Sequence, residues 1–451
     1  MGVSFFKNIV FIPILGLFSC GSSAVEKNQG LAHNIIAQDT LHISENKKAT
    51  KEESAKIKTT LQDTILIGRS IPAKSSKHIL TGANQWQSYM DLLSNKKVGV
   101  VANQTSMVND TLENKHNLRV VDFHLVDFIN EFDKNVTKVF APEHGFRGKA
   151  DAGEVVKDGV DLKTGIPIIS LYGKNKKPTA AQLSNVDIMV FDIQDVGARF
   201  YTYISSLHYV MEACAENNIP VIVLDRPNPN GHYTDGPILE PEHTSFVGMH
   251  PVAVVHGMTI GEYAQMINGQ GWLANQIQCD LRVIKMKNYT HQTTYSLPVK
   301  PSPNLPNDVA ITLYPSLCFF EGTPISAGRG TSKQFQIFGA PTLSKRNYSY
   351  GFTPQANEGA KYPKFKGEYC NGLDLSNTKK LNKINLHWLI QAYTTSGKKE
   401  EFFNTFFTKL AGTTKLQEQI TQGHSEKQIR ASWQQGLNAY NLMRKEYLLY
   451  E

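Results

Sequence analysis

Short apolar runs separated by longer polar stretches dominate the chain from about residue 85 onward. Within this pattern, the stretch 203–216 carries apolar residues at spacings of three and four, which predicts a helix with one buried face. The apolar runs are rich in Val and Ile and short, as the buried strands of parallel sheets are. This alternation predicts an α/β fold built on a Rossmann-like parallel sheet. The runs lie at 98–101, 136–141, 166–171, 186–193 and 221–224.

The pattern after the last run predicts one more helix of the first domain and then a second, smaller α+β domain. Thr259 and Glu262 have the spacing of a capping box, which predicts the start of a helix. The proline-rich stretch 298–307 is typical of an extended hinge. Beyond it, an amphipathic helix is expected over about 425–447. We therefore predict an auxiliary domain that closes a cleft against the sheet.

The first residues are typical of a bacterial export signal. Lys7 is the only charged residue of 1–20, and the apolar run after it is too short to remain as a membrane span. The run ends in a sequence that resembles a lipobox, which predicts lipidation of Cys20; an ordinary signal peptide is the alternative. We expect a lipid-anchored protein of the cell envelope, on the periplasmic side or at the outer-membrane surface. The predicted segments are a signal peptide at 1–20, a polar tether at 21–78, a Rossmann-like catalytic domain at 79–297 and the auxiliary domain at 298–451.

Composition excludes several classes of function. The 47 basic and 40 acidic residues give a formal charge of +7, and no basic helix or aromatic platform accompanies it, so nucleic acid is not an expected partner. No glycine fingerprint follows the first strand, so no dinucleotide cofactor is expected. The cysteines after Cys20 are widely spaced and do not suggest zinc. A disulfide and buried free thiols both remain open for them, and the sequence does not indicate an oligomeric state.

Polar residues follow each predicted strand. Open parallel sheets bind ligands beyond the carboxyl ends of their strands, so these residues are candidates for contact with a substrate. The candidates near the sheet are Asn103, His144, Arg147, Tyr172, Gln194, Arg199, Tyr201, Asp225, Arg226 and Asn228.

Glu143 is the best placed acid. It follows a buried strand, between Pro142 and Gly145, which are expected to form a sharp turn. Hydrolysis of a glycosidic bond needs a proton donor and a second group at the sugar carbon, and two carboxylates usually serve. Asp192 is the predicted second carboxylate. A structural ion pair between Glu143 and a neighbouring basic residue is the alternative.

A second group of candidates lies in the auxiliary domain. Glu321 precedes Gly-Thr, and Arg329 stands between two glycines, where a guanidinium can grip a carboxylate at two points. The lactyl carboxylate of muramic acid fits such a site, and a tight turn is the alternative. We predict no metal, although Glu143 and His144 with Asp192 and Asp225 could hold a divalent ion.

Four blocks resemble the exo-β-N-acetylmuramidase family. They are the sequences at 141–148, 191–203, 224–231 and 321–331, and the resemblance covers roughly 85–451. It implies a Rossmann-like domain joined to a smaller auxiliary domain, with the active site between them. It also implies release of N-acetylmuramic acid from the non-reducing end of peptidoglycan-derived saccharides, with Glu143 at the position of the catalytic glutamate.

Two other functions are alternatives to the muramidase hypothesis. A metal-dependent hydrolase of envelope amides or esters would use the same acidic edge of the sheet. A muropeptide-binding lipoprotein without turnover would keep the cleft, although an edge with three acids is more than a binder needs. The stereochemical outcome also stays open, because the 2-acetamido group of the sugar can replace a protein nucleophile.

Overall fold

The computed structural model describes residues 78–114, 117–147, 158–397 and 399–451. All of them belong to the unit Gly68–Glu451. The predicted signal peptide, Cys20 and nearly all of the predicted tether lie outside the described residues. Within the described ranges, none of the helices combines the length and the apolar character that a bilayer crossing requires.

A seven-stranded sheet forms the centre of the fold. Its order is β5-β6-β4-β1-β7-β8-β9, and every neighbouring pair is parallel except β5 with β6. Counted by the parallel strands alone, this is the order 3-2-1-4-5-6 of Rossmann folds, with its switch point beside β1. The strands are β1 Lys97–Ala102, β4 Asn135–Ala141, β5 Gly159–Val160, β6 Pro167–Ser170, β7 Ile188–Asp192, β8 Val221–Leu224 and β9 Leu281–Ile284. A separate hairpin joins β2 Met107–Asn114 to β3 Asn117–His124.

The central strands are buried on both faces. In β7, Val190 packs into one core and Phe191 into the other, and Ile222 and Val223 divide in the same way in β8. This alternation follows from the two-residue period of a strand. It explains why the strands contain continuous apolar runs. The helices of this part are α1 Leu125–Glu131, α2 Ala180–Leu183, α3 Tyr203–Glu216 and α4 Ile260–Gly269.

From residue 308 onward, the described residues add a smaller antiparallel sheet and five α-helices. The sheet has the order β10-β12-β11, and both of its strand pairs are antiparallel. This confirms the α/β fold with a second, smaller domain. The elements are α5 Asp308–Leu317, β10 Ile337–Ala340, β11 Tyr350–Phe352, β12 Cys370–Asp374, α6 His387–Thr395, α7 Thr405–Ala411, α8 Lys415–Thr421 and α9 Glu426–Lys445.

The five predicted strands are confirmed, and so are the helices at 203–216, 260–269 and 426–445. The Thr259 capping box is present, with the Thr259 hydroxyl accepting from the Glu262 amide. Residues 301–305 of the predicted hinge are buried, and the hinge itself stays a prediction. The domain boundary at 297/298 stays a prediction.

Candidate active site

Glu143 lies at the carboxyl edge of the sheet, two residues after β4. The turn that holds it is closed by a hydrogen bond from the Gly145 amide to the Pro142 carbonyl, 3.0 Å long. His144 and Gly145 both have positive φ, 72° and 75°. A side chain larger than glycine is uncommon in that region, so His144 marks a backbone fixed by its surroundings. The predicted sharp turn is confirmed.

A chain of hydrogen bonds orients the Glu143 carboxylate. Thr202 donates its hydroxyl to Oε2 of Glu143 at 2.7 Å. Thr202 is the N-cap of α3, yet its side chain accepts no hydrogen bond from the helix. Beside it, the Tyr203 hydroxyl accepts from the Asn103 side-chain amide at 2.9 Å and lies 3.4 Å from the Glu143 carbonyl oxygen. The ends of β1, β4 and α3 therefore meet around one partly exposed acid.

Replacing Thr202 with Val should misplace this acid. The valine is similar in shape but cannot donate to Glu143, and we expect kcat on a muramic disaccharide to fall roughly tenfold while KM changes little. Thr202→Ser keeps the hydroxyl and should stay within about threefold of wild type. Steady-state kinetics of both variants checks the expectation. Equal losses in the two would mean that the hydroxyl does not position Glu143.

Aromatic residues form the wall behind the acid. Tyr314 of α5 packs edge-to-face on Phe200 and Tyr201, with ring centroids 5.3 and 5.9 Å apart. Burial raises the pKa of Tyr314 well above its usual value, and the negative charges of Glu143 and Glu321 add to the rise. Both carboxylates therefore contribute to the raised pKa of the Tyr314 hydroxyl. Tyr201, a predicted sugar-binding residue, is largely buried in this wall.

Glu321 and Arg329 form the second cluster of the site. Their side chains are 22% and 23% exposed, and Nη1 of Arg329 lies 3.4 Å from Oε2 of Glu321. Lys364 reaches into the same turn and donates to the carbonyls of Glu321 and Thr323 at 3.1 and 2.7 Å. Burial lowers the pKa of Lys364. A carboxylate entering here would meet the partly exposed Arg329, whereas the Lys364 ammonium already donates to four backbone carbonyls.

Asp192 is fully buried at the end of β7. Arg226 binds both of its carboxylate oxygens, at 2.5 and 2.8 Å, and also donates to the Met107 carbonyl at 3.0 Å. Such a pair fixes the ends of neighbouring strands, and neither charge faces solvent. The catalytic role of Asp192 and the sugar-binding role of Arg226 stay predictions, and direct contact with a sugar would require this pair to open.

Asp225 ties the end of β8 to two distant elements. It accepts from the Thr259 hydroxyl and the Gly261 amide, both at 2.8 Å, and from the Tyr450 hydroxyl at 2.6 Å. Burial raises its pKa to about 7. These contacts link the start of α4 and the last residues of the chain to the sheet, and they give Asp225 a structural position.

Gln194 and Asn228 also contact backbone groups. The Gln194 amide donates to the carbonyls of Asp195 and Pro227, both at 2.7 Å, and that of Asn228 donates to the Met258 carbonyl at 2.8 Å. Both side chains are more than nine-tenths buried. They shape the loops after β7 and β8, and their predicted contact with sugar has no support in this geometry.

The prediction for Arg199 is corrected by its burial. No part of Arg199 is exposed, and the guanidinium donates to four carbonyls, those of Pro237, Val252, Leu410 and Ala411, at 2.7 to 3.0 Å. It holds the end of α7 against the first part of the chain. Arg199 is therefore a structural residue rather than a sugar-binding one.

The other candidates surround the Glu143 turn. Arg147 binds Asp161 at 2.9 Å, and the ion pair between Glu143 and a neighbouring basic residue stays an alternative. His144 is buried beneath the turn. Tyr172 follows β6 with its ring partly exposed, 6.2 Å from that of Phe246. Of these, Tyr172 is the best placed to meet a ligand.

His124 makes the end of β1 sensitive to acid. Its Nε2 donates to the Asn103 carbonyl and its Nδ1 accepts from the Val126 amide, and burial lowers its pKa to about 4. The unfolded chain binds a proton near pH 6.5, so this contribution to the free energy of unfolding is present above pH 6.5 and is lost as pH falls to about 4. It amounts to roughly 3 kcal/mol. His124→Asn should remove this loss, which urea unfolding between pH 4 and 7 would measure; an unchanged pH slope would contradict the assignment.

Metal ligation receives no support at Glu143. Among the described residues, Glu240, Glu242 and His243 bring ligand atoms within 4.8 Å of one another. The metal ligands that the sequence offered as an alternative are Glu143, His144, Asp192 and Asp225. Their ligand atoms do not form such a group. The cysteines after Cys20 are free and buried, which decides between the two alternatives left open for them.

Sequence reasoning missed Thr202, Tyr314 and Lys364. Thr202 lies inside the block 191–203, one residue before the predicted helix, and no motif marks its side chain as functional. Tyr314 belongs to a helix of the second domain, and Lys364 to a loop with no recognisable motif. Thr202 could have been predicted as a site residue, because the helix that it precedes begins beyond the end of a strand. The roles of Tyr314 and Lys364 depend on tertiary packing, which the sequence pattern does not contain.

Comparison with known proteins decides the family. Residues 98–309 match the N-terminal domain and residues 312–450 the C-terminal domain of the family described as exo-beta-N-acetylmuramidase NamZ. The chain belongs to this family. The resemblance seen in the four sequence blocks is thereby confirmed.

Similar proteins cover nearly the same region. The peptidoglycan beta-N-acetylmuramidase NamZ of Bacillus subtilis is 40% identical over 388 residues, which is 80% of this chain and 89% of the relative. A crystal structure of a DUF1343 family protein of Bacteroides fragilis is 45% identical, with a TM-score of 0.75, over 83% of this chain and 99% of the other. A second protein from that organism is 27% identical, with a TM-score of 0.68 over the same shares.

Proposed function

We propose that this chain is an exo-acting β-N-acetylmuramidase that releases N-acetylmuramic acid from the non-reducing end of peptidoglycan fragments. Membership in the family supports glycoside hydrolysis. The observation that carries the proposal is the Glu143 carboxylate, which accepts a hydrogen bond from the Thr202 hydroxyl at the carboxyl edge of the sheet. The partly exposed pair of Glu321 and Arg329 supports a site for an anionic sugar. These two features support a proton donor at Glu143 and a cation at Arg329 for the lactyl carboxylate.

Glu143 acts as the general acid. Its carboxyl proton passes to the glycosidic oxygen as the bond from that oxygen to the anomeric carbon breaks, and the leaving saccharide departs as an alcohol. Water then adds to the anomeric carbon and loses its proton to the Glu143 carboxylate. The Thr202 hydroxyl keeps the acid in place through both steps.

The group that stabilises the sugar cation is the 2-acetamido oxygen of the substrate or a second carboxylate. Asp192 is the carboxylate expected from the sequence, but its pairing with Arg226 makes it a positioning residue in this arrangement. Glu321 is more accessible and acts on the same phenol as Glu143. We place Arg329 on the lactyl carboxylate, with Glu321 orienting it.

The substrate also fits the proposed location. Peptidoglycan lies outside the cytoplasmic membrane, and the lipobox-like sequence ending at Cys20 supports export and a lipid anchor in the cell envelope. Labelling with a radioactive fatty acid tests the anchor. Incorporation should be lost in Cys20→Ala.

The activity is tested by incubating the purified protein with a disaccharide of N-acetylmuramic acid linked to N-acetylglucosamine. Release of both free sugars is expected, and it should persist after exhaustive chelation. Loss of activity on chelation would favour the metal-dependent hydrolase. Tight binding without sugar release would favour the binding protein and overturn the proposal.

A further inference from the structure

A cluster of aromatic residues and one lysine lies beside the Glu143 turn. The Phe246 ring is 6.3 Å from that of Tyr209, with 16° between their planes, and 6.2 Å from that of Tyr172. Nζ of Lys176 lies 4.5 Å from the centre of the Phe246 ring. All four side chains are partly exposed. We call this cluster the aromatic platform.

The backbone presents Phe246 on a rigid support. Ser245 and Gly248 exchange two hydrogen bonds, of 2.8 and 2.9 Å, so Phe246 and Val247 form the tip of a closed two-residue loop. Gly248 packs closely, because an added Cβ would lie 2.9 Å from the end of the Leu239 side chain, which would have to shift. Binding residues are disproportionately found on loops held by a rigid scaffold, and aromatic side chains commonly line binding sites.

The platform begins next to the catalytic acid. Tyr172 follows β6, and β6 pairs with β4, whose end leads to Glu143. Tyr209 lies seven residues after Thr202 along α3, which puts it on nearly the same face about 10 Å further along the helix. The platform therefore extends from Glu143 down the side of α3.

The segment that leads into the second domain contacts the end of β1, on the other side of β4. Gln104, just after β1, donates to the Pro301 carbonyl at 3.0 Å, and β1 lies on the opposite side of β4 from β6. If the muramic sugar occupies the side of Glu321 and Arg329, the bond broken at Glu143 points its leaving group toward β6. The platform is on that side.

We propose that the aromatic platform binds the saccharide on the leaving-group side of the broken bond. The C–H faces of sugar rings are apolar and slightly positive, and they suit the negative faces of aromatic rings. Lys176, held over Phe246, can donate to an acetamido oxygen or to a carboxylate of that saccharide. This inference rests on the proposed muramidase function and adds the subsite for its second product.

The test compares two substrates that differ in their leaving groups. One is a tetrasaccharide of alternating N-acetylmuramic acid and N-acetylglucosamine, and the other is 4-nitrophenyl N-acetylmuraminide, whose single ring cannot extend along α3. Phe246→Ala should lower kcat/KM on the tetrasaccharide about tenfold. On the nitrophenyl substrate the loss should stay below about threefold. Tyr209→Ala leaves the loop intact and should show the same difference.

The matched control is Phe132→Ala. Phe132 is 39% exposed and lies just before β4, at the opposite edge of the sheet, so kcat/KM on both substrates should be unchanged. Equal losses on the two substrates, or no loss on either, in folded Phe246→Ala and Tyr209→Ala would overturn the platform proposal. Absence of sugar release by the wild type would instead count against the muramidase function itself.

Discussion

Glu143→Gln is expected to lower kcat on a muramic disaccharide by about a hundredfold to ten-thousandfold. Glutamine keeps the size of the side chain and can still contact the Thr202 hydroxyl, but it cannot deliver a proton to the glycosidic oxygen. KM should change little, because the sugar contacts assigned to Arg329 are intact. Quantification of released N-acetylmuramic acid under steady-state conditions measures the effect.

Glu131→Gln is the control for this substitution. Glu131 ends α1 and is exposed, at the amino edge of the sheet. Its variant should have wild-type activity. A Glu143→Gln protein that folds normally and keeps activity within a few-fold of wild type would remove Glu143 from the mechanism.

Arg199→Met is expected to have the largest effect on stability. The substitution leaves up to four buried carbonyl groups without a donor, among them those of Leu410 and Ala411 at the end of α7. Each unsatisfied buried group destabilises a fold by about 1–3 kcal/mol, so a loss of at least 3–5 kcal/mol in the free energy of unfolding is expected. The helix end also loses a favourable positive charge.

Denaturant unfolding of Arg199→Met and of Arg346→Met separates this effect from the mere loss of a positive charge. Arg346 is exposed, and its variant should unfold within about 0.5 kcal/mol of wild type. If Arg199→Met were as stable as Arg346→Met, the buried contacts of Arg199 would not hold the two parts together.

The sheet could be predicted because its strands are buried on both faces. Runs such as that of β7, Ile-Met-Val-Phe-Asp, are buried throughout, and a continuous apolar run of this length is typical of a central parallel strand. The smaller sheet escaped prediction because β10, β11 and β12 are only three to five residues long and two of them contain glycine at their centres. Their pairing depends on contacts that the sequence pattern does not contain.

The part of the site that could be predicted is the turn at which proline and glycine constrain the backbone. Glu143 stands out because Pro142 and Gly145 fix a turn after a strand, and the structure has that turn. The positive charge of Arg199 led to a wrong prediction. Arg199 resembles a ligand for an anion, but its guanidinium donates to backbone carbonyls. Asp192 shows the same limit of prediction from charge, because its partner, Arg226, lies 34 residues further along the chain.

The leaving group of the substrate tests the role of Glu143 most directly. Nitrophenolate departs without a proton, whereas a sugar alkoxide does not. For Glu143→Gln, the loss in kcat/KM on 4-nitrophenyl N-acetylmuraminide should therefore be at least about tenfold smaller than the loss on the disaccharide. Equal losses on the two substrates would contradict the assignment of Glu143 as the proton donor.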